Sequence, residues 1–194
     1  MLRQAALLIV LAALPLSACS KKEPPQQATP PQPTQPDTAG QGAARERARQ
    51  DSIARAEAAA REAATREAAA RATAILTEMV FFDYDISELR ADAQEALGRK
   101  VPILRGNPDL TLRITGHADE RGSLEYNLAL GMRRAQAVKD YLSGFGIDGS
   151  RLEIDSMGED QPLDDGQDEQ AWARNRRAEF SITGGGDALT LPGR

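Results

Sequence analysis

Cysteine is almost missing from this 194-residue chain: the single one, Cys19, precedes every segment patterned like folded protein. No internal disulfide can form. Aromatic residues make up 4% and lie after Met79, where a hydrophobic core must be sought. His117 is the only histidine. The segment after Met79 therefore holds neither a His/Cys metal cluster nor a Cys–His nucleophilic pair, and neither metal nor cofactor is expected. No uninterrupted run of about 20 apolar residues exists, so no helix of the mature chain is expected to cross a bilayer. Positive charge is also scarce: 24 Lys and Arg face 29 Asp and Glu. The deficit falls in residues 79–194, with 14 basic against 21 acidic. Such a surface repels phosphate backbones, and nucleic acid is not an expected partner.

The N-terminus carries one clear signal. Arg3 precedes a short apolar run, Ala5–Leu14, which ends in Leu16-Ser17-Ala18-Cys19. Small residues before a cysteine at the end of such a run resemble the bacterial lipobox, in which cleavage leaves a lipidated cysteine. Residues 1–18 then form a signal peptide, and Cys19 is the expected lipidation site. Ser20 in place of Asp after the cysteine implies sorting to the outer membrane.

Residues 19–42 contain six prolines among Gln and Thr, then Gly40 and Gly42. That composition predicts a disordered, extended tether. Residues 43–78 switch to Ala, Arg and Glu, with Glu57/Arg61, Glu62/Arg66 and Glu67/Arg71 in the favourable i,i+4 order. They predict a solitary helical spacer with a rise of about 54 Å, without the apolar seam of a coiled coil.

Residues 79–184 read as one α+β domain. A strand is expected at Val80–Tyr84, then a helix capped by Ser87 with Leu89, Ala93, Leu97, Val101 and Leu104 inward. Pro102 should kink its last turn. Leu110, Leu112 and Ile114 alternate with polar residues and predict a half-buried strand. A second helix, about Asn127 to Leu142, should bury Leu128, Met132, Ala135, Val138 and Leu142 and stop at Gly144. Strands at Leu152–Ile154 and Ala178–Ile182, with a short helix near Glu169–Arg174 between them, complete a β-α-β-α-β-β order of helices on a small mixed sheet. Residues 185–194 read as a flexible tail.

The most informative stretch is Gly116-His117-Ala118-Asp119-Glu120-Arg121-Gly122, followed by Glu125-Tyr126-Asn127-Leu128 and Leu130-Gly131-Met132-Arg133-Arg134-Ala135. With Phe82-Asp83 upstream and Asn175-Arg176-Arg177 downstream, it resembles the OmpA-like peptidoglycan-binding family, and within it the peptidoglycan-associated lipoprotein branch. The resemblance covers roughly Val80 to Thr183. It implies a non-catalytic anchor that binds the diaminopimelate of peptidoglycan peptide stems and ties the outer membrane to the wall. It also implies membership of the Tol–Pal system, with periplasmic TolB as a partner.

The ligand's free end would carry an ammonium and a carboxylate on one carbon, so the expected pair is an acid and a forked cation. The resemblance assigns these to Asp119 and Arg134, with Asn127, Asp83 and Phe82 in support. Arg134 is expected beside the apolar stripe of its helix, so that replacing it leaves the domain folded. Arg133, about 100° away, points to solvent. His117 is expected to turn a strand end into the binding loop, and Arg176 and Arg177 to border the site or form ion pairs. A paired-carboxylate peptidoglycan hydrolase and a spacer or assembly lipoprotein with the same wall anchor are the competing readings.

Overall fold

The computed structural model describes residues 38–186 and 189–191. The expected signal peptide, Cys19 and most of the tether lie outside them. The chain divides into two compact units, residues 1–46 and 47–194. Of the first, only the opening turns of the long helix α1 (Thr38–Thr77) are described. The helix takes in residues 38–42, which composition assigned to the tether: Gly40 and Gly42 lie in its first turns, next to an Ala-rich stretch whose propensity carries them. Glu62–Arg66 and Glu67–Arg71 pair along its surface.

The second unit continues with β1 (Val80–Phe81), α2 (Ala91–Gly106), β2 (Thr111–His117) and α3 (Leu124–Gly144). A 3-10 turn at Gly149–Arg151 leads into β3 (Leu152–Gly158), α4 (Glu169–Asn175) and β4 (Arg177–Gly184). The fold is α+β: one four-stranded sheet in the order β1-β4-β2-β3, with β2 and β3 parallel and β4 antiparallel to both β1 and β2. Ile114 of β2 pairs with Phe180 of β4, and Leu112 with Leu152 of β3. These residues form the inner layer against α2 and α3, with Leu97, Leu104, Ala135, Val138 and Leu142 opposite them. The alternate residues, such as the ion-paired Arg113 and Glu153, face water.

Three expected element boundaries shift, each for a local reason. β1 stops at Phe81 rather than Tyr84, because the Phe82 amide and carbonyl both bond Arg176, at 2.9 and 3.1 Å. α2 starts at Ala91, not after Ser87: the carbonyls of Asp83 and Ile86 are turned away to a buried arginine described below. α3 starts at Leu124, capped by the Ser123 hydroxyl. Pro102 is accommodated inside α2, which runs on to Gly106. α3 ends on Gly144 as expected, although the left-handed residue that turns the chain is Gly146 (φ +80°).

The phase of α3 also differs from expectation. Leu128 is only half-buried and Met132 is 40% exposed, whereas Leu130, Gly131 and Arg134 face inward. The cause is a close approach between α3 and β2. A Cβ on Gly116 would fall 1.8 Å from the Gly131 carbonyl oxygen, and one on Gly131 would fall 2.3 Å from Ser156 Oγ. Only two glycines permit this contact, and it fixes which side of α3 meets the sheet.

Neither end of the domain stops where composition placed it. Ala72 and Leu76 of α1 are fully buried in the core. Lys100, also fully buried, donates to the carbonyls of Ile75, Leu76 and Glu78 at 2.5, 3.1 and 2.7 Å, and lies 4.3 Å from the Phe180 ring centre. Burial lowers its pKa to about 7, yet the three carbonyls are the acceptors that a charged ammonium requires. At the other end, the segment expected to be a flexible tail is partly docked. Leu189 is 3% exposed, and Thr190 bonds Asn107 through its amide, carbonyl and hydroxyl.

Lys100→Met keeps the apolar stem but takes a donor from three carbonyls, of which Ile75 keeps only a 3.4 Å bond from the Glu78 amide, so it should destabilise the protein by about 1–3 kcal/mol. Urea unfolding would measure this, and amide exchange should speed up first around residues 72–80.

Candidate functional site

A cavity of about 150 Å3 opens beyond the end of β2 that carries His117. One wall is the β1–α2 loop, with Tyr84 and Asp85. The opposite walls are the loop Ala118–Gly122 and the start of α3, with Tyr126, Asn127, Leu130 and Arg134. The structure thus brings together Asp119, Asn127 and Arg134, as expected. It does not bring Phe82 and Asp83. Phe82 is fully buried core, and the Asp83 carboxylate points outward to Arg90 at 3.3 Å. Tyr84 and Asp85, two residues further on, occupy the wall instead.

Arg134 is more deeply placed than the sequence suggests. It is 0% exposed, and its guanidinium donates to three backbone carbonyls: Ile86 (2.9 Å), Asp83 (3.0 Å) and His117 (2.6 Å). It sits 5.2 Å from the Phe82 ring centre. Burial, reinforced by Arg176, lowers its pKa to about 10, which leaves it charged at neutral pH. The expectation that it lies beside the apolar stripe, so that the domain folds without it, is therefore corrected. Arg133 lies exposed on α3, 5.6 Å over the Tyr126 ring.

Asp119 does not pair with Arg134. Its Oδ1 accepts from the Arg121 amide (3.2 Å) and Nε (3.1 Å), and its Oδ2 from Arg121 Nη2 (2.7 Å) and Arg176 Nη1 (3.2 Å). Burial pushes its pKa up, but the hydrogen bonds from Arg121 and Arg176 outweigh it and hold the carboxyl below its ordinary value. It is a fixed anion, unsuited to act as a general acid at neutral pH. Asn127, 1% exposed, donates to the Asp119 carbonyl and to Glu159. Asp85 accepts from the Tyr126 hydroxyl and has φ +56°, the only positive φ outside glycine among the described residues.

Sequence reasoning missed Arg121 as a site member and left Arg176 undecided. Arg176 is 5% exposed and bridges Asp119 and Glu169 while bonding the Phe82 carbonyl. Arg177 instead serves structure, pairing with Glu179 and donating to the Gln161 carbonyl. His117 ends β2 as expected. Its ring is 1% exposed with neither nitrogen hydrogen-bonded, and its carbonyl meets Arg134. No group of three His, Cys, Asp or Glu suited to a metal occurs among the described residues, nor any helix long and apolar enough to cross a membrane.

The arrangement defines an α+β domain with a small cavity at a strand end lined by fixed charges of both signs. The OmpA family profile matches residues 81–176. A peptidoglycan-associated lipoprotein of Mesorhizobium japonicum is 43% identical over 114 residues, 59% of this chain and 68% of that protein. A second, from Rhizobium meliloti, is 44% identical over 114 residues, 59% of this chain and 65% of that protein. The chain thus spans just under two thirds of that relative. The crystal structure of the peptidoglycan-associated lipoprotein from Burkholderia pseudomallei aligns with a TM-score of 0.53 at 39% identity, covering 54% of this chain and 88% of that one. The chain belongs to the OmpA family.

Two outcomes follow from these burials. Arg134→Ala strips donors from three carbonyls in the core and should cost about 3–5 kcal/mol of stability, read from the urea midpoint. His117 has a pKa lowered to about 4, by burial first and by Arg177 next, against the opposing pull of Glu179 and Asp155. An unfolded histidine takes its proton near pH 6.5, so between those values the unfolded chain binds more protons. Stability should be complete above about pH 6.5 and decline as the pH falls towards about 4, and His117→Gln should flatten that part of the melting profile.

Proposed function

We propose that this protein is an outer-membrane lipoprotein that binds peptidoglycan without cleaving it, gripping the diaminopimelate end of a peptide stem in the cavity beside Asp119 and Arg134. The observation that carries this reading is the cavity's pairing of charges: Asp85 and Asp119 supply negative potential, Arg134 and Arg121 positive, and Tyr84 and Tyr126 the apolar rim. A zwitterionic head with ammonium and carboxylate on one carbon matches that pairing. The four donors on Asp119 occupy its lone pairs, so it attracts the ammonium as a charge, while Asp85, which accepts from Tyr126, offers a direct acceptor. Arg134 has N–H groups beyond its three carbonyl bonds to give a ligand carboxylate.

The family and the relatives named for their association with peptidoglycan support this assignment. The lipobox-like Leu16–Cys19 supports attachment through an acylated Cys19, facing the periplasm. Binding at both ends would tie the membrane to the wall, within a Tol–Pal assembly in which TolB is the partner.

Asp119→Asn keeps the shape and removes the charge, and should lower co-sedimentation with peptidoglycan by about ten- to a hundredfold. Free diaminopimelate should compete for wild-type binding, and the exposed Arg133→Ala should bind normally. Unchanged binding by Asp119→Asn would refute the site. Separately, Cys19→Ala should move the protein from the membrane to the soluble fraction, as membrane fractionation would read out.

A further inference from the structure

We infer that Arg121 is the positioning residue of this site: clamped between two aromatic rings, it holds the Asp119 carboxylate in place and ties the two loops that wall the cavity. This inference rests on the binding reading above and adds to it a role that Arg121 exerts through Asp119 and Tyr84.

The Arg121 guanidinium carbon lies 4.0 Å from the Tyr84 ring centre and 4.1 Å from that of Trp172. The rings come from different segments, the β1–α2 loop and α4, so the stack closes only when both are in position. Within it, Arg121 presents Nε and Nη2 to the two Asp119 oxygens in a two-point fork, and Nη1 reaches Glu169 at 3.4 Å. The Trp172 indole donates to Glu120 (3.1 Å), and Glu169 also takes Arg176 (2.8 Å). Arg134 fixes the backbone of the β1–α2 loop from inside, and Arg121 fixes the Tyr84 side chain from outside. A flexible ammonium could replace the charge of Arg121. It could match neither the fork nor the flat stack.

The ionisable groups facing Asp119 are Arg121 on its own loop, Arg176 at the end of α4, Glu169 behind both arginines, Arg134 on α3, Asp85 on the β1–α2 loop, and Glu159 through Asn127. In Arg121→Gln the backbone amide of residue 121 and Arg176 still act on Asp119 against burial, but the side-chain fork and its charge are gone, so the Asp119 pKa moves up.

The test measures binding of the full chain to peptidoglycan, and of free diaminopimelate by calorimetry, between about pH 5 and pH 8. Wild type should bind evenly across the range. Arg121→Gln should bind about tenfold more weakly at neutral pH and lose more as the pH falls. Arg121→Lys should regain the flat pH profile, through its charge, without regaining the affinity. Trp172→Leu opens one side of the clamp without touching Asp119, so it should weaken binding with a flat profile, and it serves if Arg121→Gln fails to fold. Wild-type affinity and profile in Arg121→Gln and Trp172→Leu would overturn the inference while loss of binding in Asp119→Asn kept the site itself. Tighter binding by Arg121→Gln at every pH would also overturn it, by showing that Arg121 competes with the ligand. Undiminished binding by Asp119→Asn would instead refute the site.

Discussion

A single buried cation organises this domain. Arg134 is almost wholly buried in the cavity wall, and its guanidinium holds carbonyls from two separate segments: Asp83 and Ile86 in the β1–α2 loop, and His117 at the end of β2. A charge so placed is tolerated only because its hydrogen bonds are satisfied and carboxylates lie near. The reverse also holds, since those carbonyls leave regular structure at the point where Arg134 needs them. β1 is short, α2 starts late and Asp85 takes a left-handed conformation in the same few residues. The loop that walls the cavity is irregular because it is addressed to a side chain.

The two loops of the site are thus fixed by arginines of different kinds. Arg134 acts from the core through backbone carbonyls, and Arg121 from the rim through a carboxylate and two rings. Arg176 connects them by bonding both Asp119 and the Phe82 carbonyl. A small cavity with this many cations would repel one another's charges were Asp119, Asp85, Glu159 and Glu169 not interleaved. The result is alternating fixed charge around a cavity of about 150 Å3, the feature on which the proposed zwitterionic ligand rests.

Much of this was legible in the sequence where side-chain type and position agree. Leu112 and Ile114 alternate with polar residues and are core, and Ala135, Val138 and Leu142 face the sheet as their spacing demands. What failed were residues whose type misstates their place. An arginine and a lysine read as surface, yet Arg134 and Lys100 are among the largest fully buried side chains. Met132 reads as core and is exposed, because the contact between Gly116 and Gly131 rotates α3. Phe82 and Asp83, expected in support of the site, lie behind the cavity wall that Tyr84 and Asp85 form, because an apolar run read as a strand gives no sign of where the backbone leaves the sheet. Arg121 carried a weak signal, since it lies two residues from Asp119 with a lone tryptophan downstream, but only folding brings Trp172 to it.

The boundaries of the folded unit follow from where unsatisfied groups can find partners. A helix ending in water needs no help with its last carbonyls, whereas one ending against a core does. α1 ends against the core, and Lys100 supplies the donors to three carbonyls at its end, while Arg99 reaches Glu78 at 2.8 and 2.9 Å. Asn107, where α2 stops, does the converse: its side chain gives and takes hydrogen bonds with Thr190, so that Leu189 can be buried. Both contacts reach partners outside residues 81–176, the stretch that the family profile matches. The recognisable motif is therefore smaller than the cooperative unit. A segment cut at the motif's edges would keep every residue lining the cavity but lose β4 from the middle of the sheet, expose the apolar surface that Ala72, Leu76 and Leu189 cover, and strip Lys100 of its acceptors.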